Sequence, residues 1–340
     1  MNATLRRIGL AILLIALCAV PYLVSAYGLS IMTEILIFSV FALSLNILVG
    51  YTGLVSLGHA AYFGVGAYTA SLVAIHFSNN LFLTLICALI ISAIVAFIIG
   101  FFCSRVSGFY FLMLTLAFSQ MIYGLVYRWG KLTGGDNGLS GVPRPALLGD
   151  LLIRTPVQIY YLIFVVFAIV LLVLNILLRS PLGQIFVGIR ENEARVRSMG
   201  YNTTLYKNLA FVIAGALGGV AGSLYSYFNG FVSPKDVYWT LSGEALIMVL
   251  IGGAGTLIGP VLGAAFLVLL ETTLSSYTDS WMLIVGATFI LFVVFLPKGI
   301  VSIGPLLVRI LRVPKRRPAP ARSAEAQDIK AGIEQNGVGT

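Results

Sequence analysis

The sequence predicts an all-α polytopic membrane protein with about ten membrane-spanning segments. Of the 340 residues, 59% are hydrophobic and only 10% are charged, whereas the surface of a soluble domain requires roughly 25% charged residues. Apolar runs of about 20 residues, the length that crosses a bilayer, follow one another along the chain. The basic residues cluster beside these runs and in the C-terminal tail, which is typical of a membrane face and argues against nucleic acid as the partner of this +9 chain.

The apolar runs define the candidate spans, which short polar segments separate. The first run follows Arg6 and Arg7 and contains Val24-Ser25-Ala26 near its end, so it also fits a cleaved secretory signal. Its length and the span that follows at once favour an uncleaved helix. The candidate spans are residues 8–27, 31–50, 54–75, 82–102, 108–127, 157–178, 208–228, 241–251, 256–274 and 281–296.

Four residues, Gly252 to Gly255, interrupt the apolar stretch 241–274, which is too long for one crossing. Two crossings place both termini on the same side as the polar segment 179–207. That side then holds 16 of the 21 basic residues, which makes it cytoplasmic by the positive-inside rule. A single crossing would put the basic tail outside, against the rule. The alternative is that residues 241–274 form a re-entrant hairpin, and that an irregularity elsewhere in the chain compensates for the missing crossing.

The chain divides into a transmembrane domain, residues 1–311, and a basic cytoplasmic tail, residues 312–340. The tail is rich in Pro, Ala, Arg and Gln and is predicted to be disordered. The three cysteines lie in apolar runs and are predicted to be buried small hydrophobes without disulfide or metal roles. They are Cys18, Cys87 and Cys103.

The most charged segment between spans, residues 179–207, is predicted to contain a short helix. Ser180 and Pro181 have the pattern of an N-cap and a first-turn proline, and Gly200 fits a left-handed C-cap. Glu191 and Glu193 each precede an arginine by four residues, the favourable order for helical ion pairs. An apolar seam of Ile185, Ile189, Val196 and Met199, with Asn192 as its polar gap, predicts docking in the groove of a partner. The alternative is a connecting loop that lies on the lipid headgroups.

The largest loop on the opposite side, residues 128–156, concentrates Gly, Asn, Asp and Pro and is predicted to be turn-rich and irregular. Its glycines do not form a phosphate site, because no Lys-Ser or Lys-Thr follows and no strand precedes them. A shaped loop is the simplest interpretation. The second interpretation is a docking surface for an external partner, with Gly134, Gly135, Asp136 and Asn137 as its candidate residues.

The 36 glycines, many of them four residues apart, indicate closely packed membrane helices. Discontinuous helices can also line a translocation pathway, so a second interpretation assigns the same residues to a solute path. The residues to which both interpretations apply are Asn46, Gly53, Ser56, His59, Gly253 and Gly255.

No enzyme motif occurs in the chain. It lacks a phosphate-binding loop, an H-E-x-x-H zinc motif, cysteine pairs and a G-x-S-x-G elbow, so it is not predicted to be an enzyme, and a membrane-embedded enzyme has no candidate site. If the chain drives uphill transport, the energy must come from another protein, and the charged helix is the obvious point of attachment. A self-sufficient channel or secondary carrier is the rival, although no ion-coupling machinery can be identified.

Four separated motifs, in the same order, together resemble the branched-chain amino-acid ABC transporter permeases, most closely the M-type subunit of the high-affinity leucine/isoleucine/valine import system. They are residues 50–60 (GYTGLVSLGHA), 132–143 (LTGGDNGLSGVP), 189–194 (IRENEA) and 252–264 (GGAGTLIGPVLGA). The resemblance covers roughly residues 31–297 and does not specify the substrate, because related permeases serve urea, amides and other amino acids.

The resemblance implies a multi-pass permease of the bacterial inner membrane. Its expected partners are a second homologous permease, two ATP-binding subunits that carry the ATP, a periplasmic substrate-binding protein and membrane lipids, and no cofactor is expected in this chain. It also implies that Glu193, Ala194 and Gly200 belong to the coupling segment of importer permeases, whose pattern is Glu-Ala-Ala, a short spacer and then Gly. Here Arg195 replaces the second alanine, and the spacer before the glycine is one residue too long. The full set of candidate ATPase-coupling residues is Ile189, Arg190, Glu191, Glu193, Ala194, Arg197 and Gly200.

Overall fold

The computed structural model describes residues 17–146, 153, 155–278, 280–296 and 299–302. Most of the first predicted span, with the question of its cleavage, and the predicted disordered tail at 312–340 lie outside these residues. The described residues form helices, two short strands and the segments that connect them.

Twelve helices follow one another in the described part of the chain. The first, α1, is described for residues 17–23. The others are α2 (Ala26–Asn46), α3 (His59–His76), α4 (Leu81–Cys103), α5 (Phe109–Arg128), α6 (Gly130–Thr133), α7 (Pro156–Arg179), α8 (Pro181–Ser198), α9 (Thr203–Asn229), α10 (Trp239–Gly252), α11 (Gly259–Ser275) and α12 (Trp281–Phe295).

Five described helical segments are long and apolar enough to cross a membrane, and three shorter apolar helices accompany them. The five are Ala26–Thr52, Leu81–Cys103, Phe109–Arg128, Pro156–Arg179 and Thr203–Asn229. The protein is therefore an all-α, multi-pass membrane protein, as the sequence predicts. The break at 252–255 is also confirmed, because α10 and α11 are separate helices that pack against each other.

The interior of the bundle is formed by α2 and α9. Helix α2 packs against α7, α9, α10 and α11, and α9 packs against α3 and α4. Glycines make the α9 contacts close: a Cβ on Gly215 would strike Ala96, one on Gly219 would strike Ser92, and one on Gly222 would strike the backbone of Phe63. Small residues at such positions let helix backbones approach one another.

Several predicted span boundaries differ from the helices, among them the end of the second span and the start of the third. Helix α2 does not stop at Gly50 but continues as a π-helix, Ile47–Thr52, which ends at Gly53 in the left-handed region (φ +74°). The third span begins at His59 rather than at residue 54, because residues 53–58 form a non-helical connection. The prediction of three buried cysteines is correct only for Cys103, since Cys87 is half-buried and Cys18 is exposed.

The strands join two loops at one end of the bundle. β1 (Leu139–Ser140) pairs with β2 (Phe231–Val232) in antiparallel register. We call the segments 134–142 and 230–237 the paired loops. They lie beyond the C-terminal end of α9, whereas α8 precedes its N-terminal end. Because α9 has 27 residues and rises ~1.5 Å per residue, about 40 Å separates the two regions.

Candidate functional site: the charged helix and its junction with the bundle

Helix α8 starts at the predicted position, although its cap differs from the prediction. Pro181 is the first helical residue, and Ser180 has the extended backbone of an N-cap residue. The Ser180 hydroxyl, however, donates to the carbonyl oxygen of Leu177 at 2.6 Å and does not cap α8. Ser180 thus closes the end of α7, and the proline begins α8 without a side-chain cap.

Asn192 divides α8 into two short helices. Its backbone is non-helical (φ −160°, ψ 94°), and its side-chain oxygen accepts a hydrogen bond from the Arg195 amide at 3.0 Å. A Cβ on Gly188 would lie 3.1 Å from Cγ2 of Val196, a distance that an unbent helix does not allow over eight residues. The segment is therefore a sharply bent helix pair.

The C-terminal end of α8 has the predicted glycine cap. Gly200 has φ +88°, its amide donates to the Arg197 carbonyl at 3.0 Å, and the Tyr201 amide donates to the Val196 carbonyl at 3.4 Å. These two bonds form a Schellman motif. The cap lets the chain turn immediately into α9.

The apolar seam of α8 faces the bundle. Phe186, Ile189 and Val196 are buried, whereas Met199 is 66% exposed. The expectation that the whole seam enters a partner is therefore wrong, because Ile189 and Val196 are already covered by this chain. The exposed face of α8 and its C-terminal cap is mainly polar: Pro181, Gln184, Arg190, Glu191, Asn192, Ala194, Arg195, Arg197, Ser198, Met199 and Gly200.

Glu193 ties the second half of α8 to the start of α9. One carboxylate oxygen accepts from Lys207 Nζ at 2.6 Å, and the other accepts from the Thr203 hydroxyl at 2.9 Å and from Arg197 at 3.2 Å. Burial acts to raise the pKa of Glu193, but the hydrogen bonds from Lys207 and Thr203 and the positive charges of Lys207 and Arg197 prevail and hold it below its usual value. The predicted Glu193–Arg197 ion pair is confirmed, but the side chain of Lys207, only 4% exposed, makes the closer contact.

Arg190 ties the first half of α8 to two other segments. Its Nη1 atom donates to the carbonyl oxygen of Gly50, in the π-helical end of α2. A Cβ on Gly255 would lie 2.8 Å from the same Nη1 atom, and a Cβ on Gly53 would lie 3.5 Å from the Arg190 Cα atom. The glycines at these positions, both with positive φ, let the arginine and the two backbones come together.

Asn46 joins α2 directly to the α10–α11 connection. Its side-chain amide donates to the Thr256 carbonyl at 2.8 Å, and its side-chain oxygen accepts from the Gly255 amide at 2.9 Å. Asn46 is fully buried, so these bonds satisfy both ends of its amide. We call the group Asn46, Gly50, Gly53, Arg190 and Gly255 the arginine junction.

The other residues assigned to a path or to packing lie outside the arginine junction. The Ser56 hydroxyl accepts from the Gly58 amide at 3.2 Å, and the backbone of Gly253 packs against Gly299. His59 Nε2 lies 2.7 Å from the Ser44 hydroxyl, which itself donates to the Phe41 carbonyl at 2.6 Å. Because a hydroxyl has one proton, His59 is the donor of this bond. The described structure gives these three residues structural contacts.

The candidate docking residues lie in the paired loops. Gly134 and Gly135 have φ +75° and +60°, and Asp136 and Asn137, which follow them in a 3₁₀ turn, are exposed. The strand pair, the bond from the Val142 amide to the Gly230 carbonyl at 3.3 Å and a capping box between Ser233 and Asp236 fix the loops. The loop is irregular but well braced.

Sequence reasoning missed three members of the site. The Gly50 carbonyl and the Thr256 carbonyl are backbone atoms, which leave no side-chain signal in a sequence. Lys207 is the last residue of the polar segment 179–207, where it contributes to the count of basic residues on the cytoplasmic side. A lysine next to an apolar span needs a carboxylate partner when it is buried. The spacing of 14 residues between Lys207 and Glu193 has no helical signature.

Comparisons with known proteins identify a family and several similar permeases. Residues 27–293 match the family described as the branched-chain amino acid transport system / permease component. The chain is 30% identical over 317 residues to the high-affinity branched-chain amino acid transport system permease protein LivM of Salmonella typhimurium and to that of Escherichia coli, covering 87% of this chain and 75% of each relative. It is 30% identical over 169 residues to the autoinducer 2 import system permease protein LsrC of Klebsiella pneumoniae, covering 47% of this chain and 46% of the relative. No solved structure matches the chain significantly.

Proposed function

Because this chain belongs to the branched-chain amino acid transport system permease family, we propose that it is a membrane-spanning subunit of an ABC importer that carries branched-chain or related amino acids across a bacterial inner membrane. The observation that carries the proposal is the polar face of α8. This face stays exposed while Arg190 and Glu193 bind α8 to α2, to the α10–α11 connection and to α9. A partner that moves α8 can therefore move the bundle.

The proposed topology has about ten crossings, with α10 and α11 as separate spans and both termini in the cytoplasm. This orientation places α8 in the cytoplasm, with sixteen of the 21 basic residues on that side. It places the paired loops in the periplasm, at the other end of α9. The segment between α7 and α9, residues 179–207, is then the cytoplasmic coupling loop.

We assign ATP binding and hydrolysis to two separate subunits, one of which receives the exposed face of α8. Arg195 and Arg197 offer charge, and Met199 and Tyr201, 66% and 43% exposed, offer apolar contact. A mixed face of this kind suits a groove in a soluble partner. A second homologous permease is the remaining membrane-embedded partner that we assign to the importer.

The paired loops are the proposed docking surface for a periplasmic substrate-binding protein. Asp136 and Asn137 project from a turn that four positive-φ glycines shape, Gly134, Gly135, Gly138 and Gly141. A surface that is braced by backbone pairing keeps its form when a partner arrives. The interface backbone of such preorganised complexes moves little on binding.

Reconstitution into proteoliposomes tests the proposal. With the second permease, the ATP-binding subunits and the binding protein present, labelled leucine is expected to accumulate only when ATP is supplied. The matched control is the chain alone, which is expected to give no flux. Flux through the chain alone, without ATP, would favour a self-sufficient channel or secondary carrier. ATP-driven accumulation of urea or an amide, without leucine, would leave the importer assignment intact and change the substrate class.

A further inference from the structure

We propose that Arg190 is a positioning residue that makes the end of α2 and the α10–α11 connection move together with the charged helix. This inference rests on the proposed function, since it assigns to one side chain the step between an attached ATPase and the spans. Besides its buried apolar side chains and its connections to α7 and α9, helix α8 has two polar ties to the bundle. Arg190 provides the one that leads to α2 and to the α10–α11 connection.

The end of α2 is a natural acceptor for an arginine. The last carbonyl groups of a helix have no backbone N–H donor within the helix, and the helix dipole favours a positive charge there. The Gly53 amide donates back to Leu48 and the Leu54 amide also donates to Leu48, at 2.9 Å. The Gly50 carbonyl takes its donor from Arg190.

Helix α10 ends at the same place. It terminates at Gly252, and Gly255 follows three residues later against the guanidinium, where a Cβ would lie 2.8 Å from Nη1 and 3.0 Å from the Gly50 carbonyl oxygen. The end of α2 and the α10–α11 connection therefore meet at one arginine, whose charge persists at every physiological pH. The sequence separation of 140 residues makes this a tertiary contact rather than a local one.

The end of α2 and the α10–α11 connection form one unit without Arg190. Asn46 makes two hydrogen bonds to the backbone of Gly255 and Thr256, so the unit persists when the arginine is replaced. Arg190 adds the link between this unit and α8. Its removal should therefore separate the movement of α8 from the movement of the unit and leave the unit itself folded.

The second tie of α8 leads elsewhere. Beyond the bend at Asn192, Glu193 binds Lys207 and Thr203 at the start of α9. A replacement of Arg190 thus leaves α8 attached to the bundle. A variant that loses the Arg190 tie and keeps the Glu193 tie therefore distinguishes a role in transmitting the movement of α8 from a role in holding α8 on the bundle.

The test uses the assembled importer in proteoliposomes and measures solute imported per ATP hydrolysed. Arg190→Gln is expected to keep the complex assembled and hydrolysing ATP while this ratio falls about tenfold or more, because a hydrogen bond from a charged donor is lost. Arg190→Lys keeps the charge and is expected to recover part of the ratio. Arg105→Gln is the control for loss of a positive charge, because Arg105 stacks on Phe101 at 4.3 Å and belongs to neither tie.

A wild-type ratio in Arg190→Gln would overturn the inference. Should Arg190→Gln fail to assemble, Arg190→Met decides, because methionine keeps a long side chain but has no donor for the Gly50 carbonyl: a lowered ratio supports the inference, and a wild-type ratio contradicts it. Failure of the unmodified complex to import with ATP would instead refute the proposed function. The two failures are therefore distinguishable.

Discussion

The arginine junction and the paired loops use the same residue types, glycine with asparagine or aspartate, to fix chain segments at opposite ends of α9. In the paired loops the strand pair and the Val142–Gly230 bond are backbone contacts. In the arginine junction two side chains, Asn46 and Arg190, make the links between distant segments. One substitution can therefore separate the segments that meet at the arginine junction, whereas the paired loops keep their form through backbone hydrogen bonds.

The largest effect is expected for Asn46→Ala. The change removes both bonds that hold Gly255 and Thr256, and it leaves their partly buried backbone groups unpaired, at about 3 kcal/mol of unfolding free energy. Asp236→Ala in the paired loops removes one capping interaction and is expected to cost about 1 kcal/mol. Denaturant titration in detergent micelles measures both. Equal losses would mean that the two regions do not differ in the way described.

Glu193→Gln is expected to lower the free energy of unfolding by about 2 kcal/mol, because it leaves the buried ammonium of Lys207 without its carboxylate. The reverse change, Lys207→Met, is expected to cost less, since the Glu193 side chain is 31% exposed and keeps Thr203 and Arg197 as partners. The midpoints of thermal unfolding of the two variants give the order. A more damaging Lys207→Met would show that the lysine is not the group that depends on the pair.

Gly255→Ala and Gly141→Ala separate steric contact from backbone strain. The two glycines have nearly the same φ, +78° and +76°, so a left-handed alanine costs roughly 1–2 kcal/mol at either. A Cβ at Gly141 meets nothing within 4 Å, but one at Gly255 meets Arg190 and the Gly50 carbonyl. The Gly255 variant is therefore expected to lose about 1 kcal/mol more of unfolding free energy than the Gly141 variant, because the added methyl group displaces the hydrogen bond between Arg190 and the Gly50 carbonyl. Identical losses in denaturant titration would argue against close contact at the junction.

The smallest effect is a dependence on pH. The pKa of Glu193 is held below its ordinary value of 4.5 in the folded protein, so its ion pairs stabilise the fold above that value. This stabilisation is lost as the pH falls through the lowered pKa. The difference in unfolding midpoint between the wild type and Glu193→Gln is therefore expected to be constant at neutral pH and to shrink only below pH 4.5. A difference that already shrinks near neutral pH would indicate another titrating group.

Much of the helical architecture can be predicted from the sequence, because length and hydropathy are local properties. The break between α10 and α11 and the glycine cap at Gly200 follow from the positions of glycines. The π-helical end of α2 and the bend at Asn192 do not follow from apolar periodicity. Asparagine competes for backbone hydrogen bonds inside helices, and this property was the available signal for the bend.

The candidate site could be predicted only in part. The charged helix is evident from its composition, and Asn46, Gly53 and Gly255 were singled out by residue type. That Arg190 brings the helix and these residues together depends on contacts across 140 positions of the chain, which no local pattern encodes. The inward direction of the apolar seam is likewise set by tertiary packing.

Cross-linking in the assembled complex tests the central claim most directly: the exposed face of α8 receives the ATP-binding subunit. In a background with Cys18, Cys87 and Cys103 replaced by alanine, single cysteines at Arg195 on α8 and at Asn137 in the paired loops would carry the same thiol-directed cross-linker. We expect the Arg195→Cys variant to link to the ATP-binding subunit and the Asn137→Cys variant not to do so. A cross-link to that subunit from Asn137→Cys, with none from Arg195→Cys, would contradict the claim.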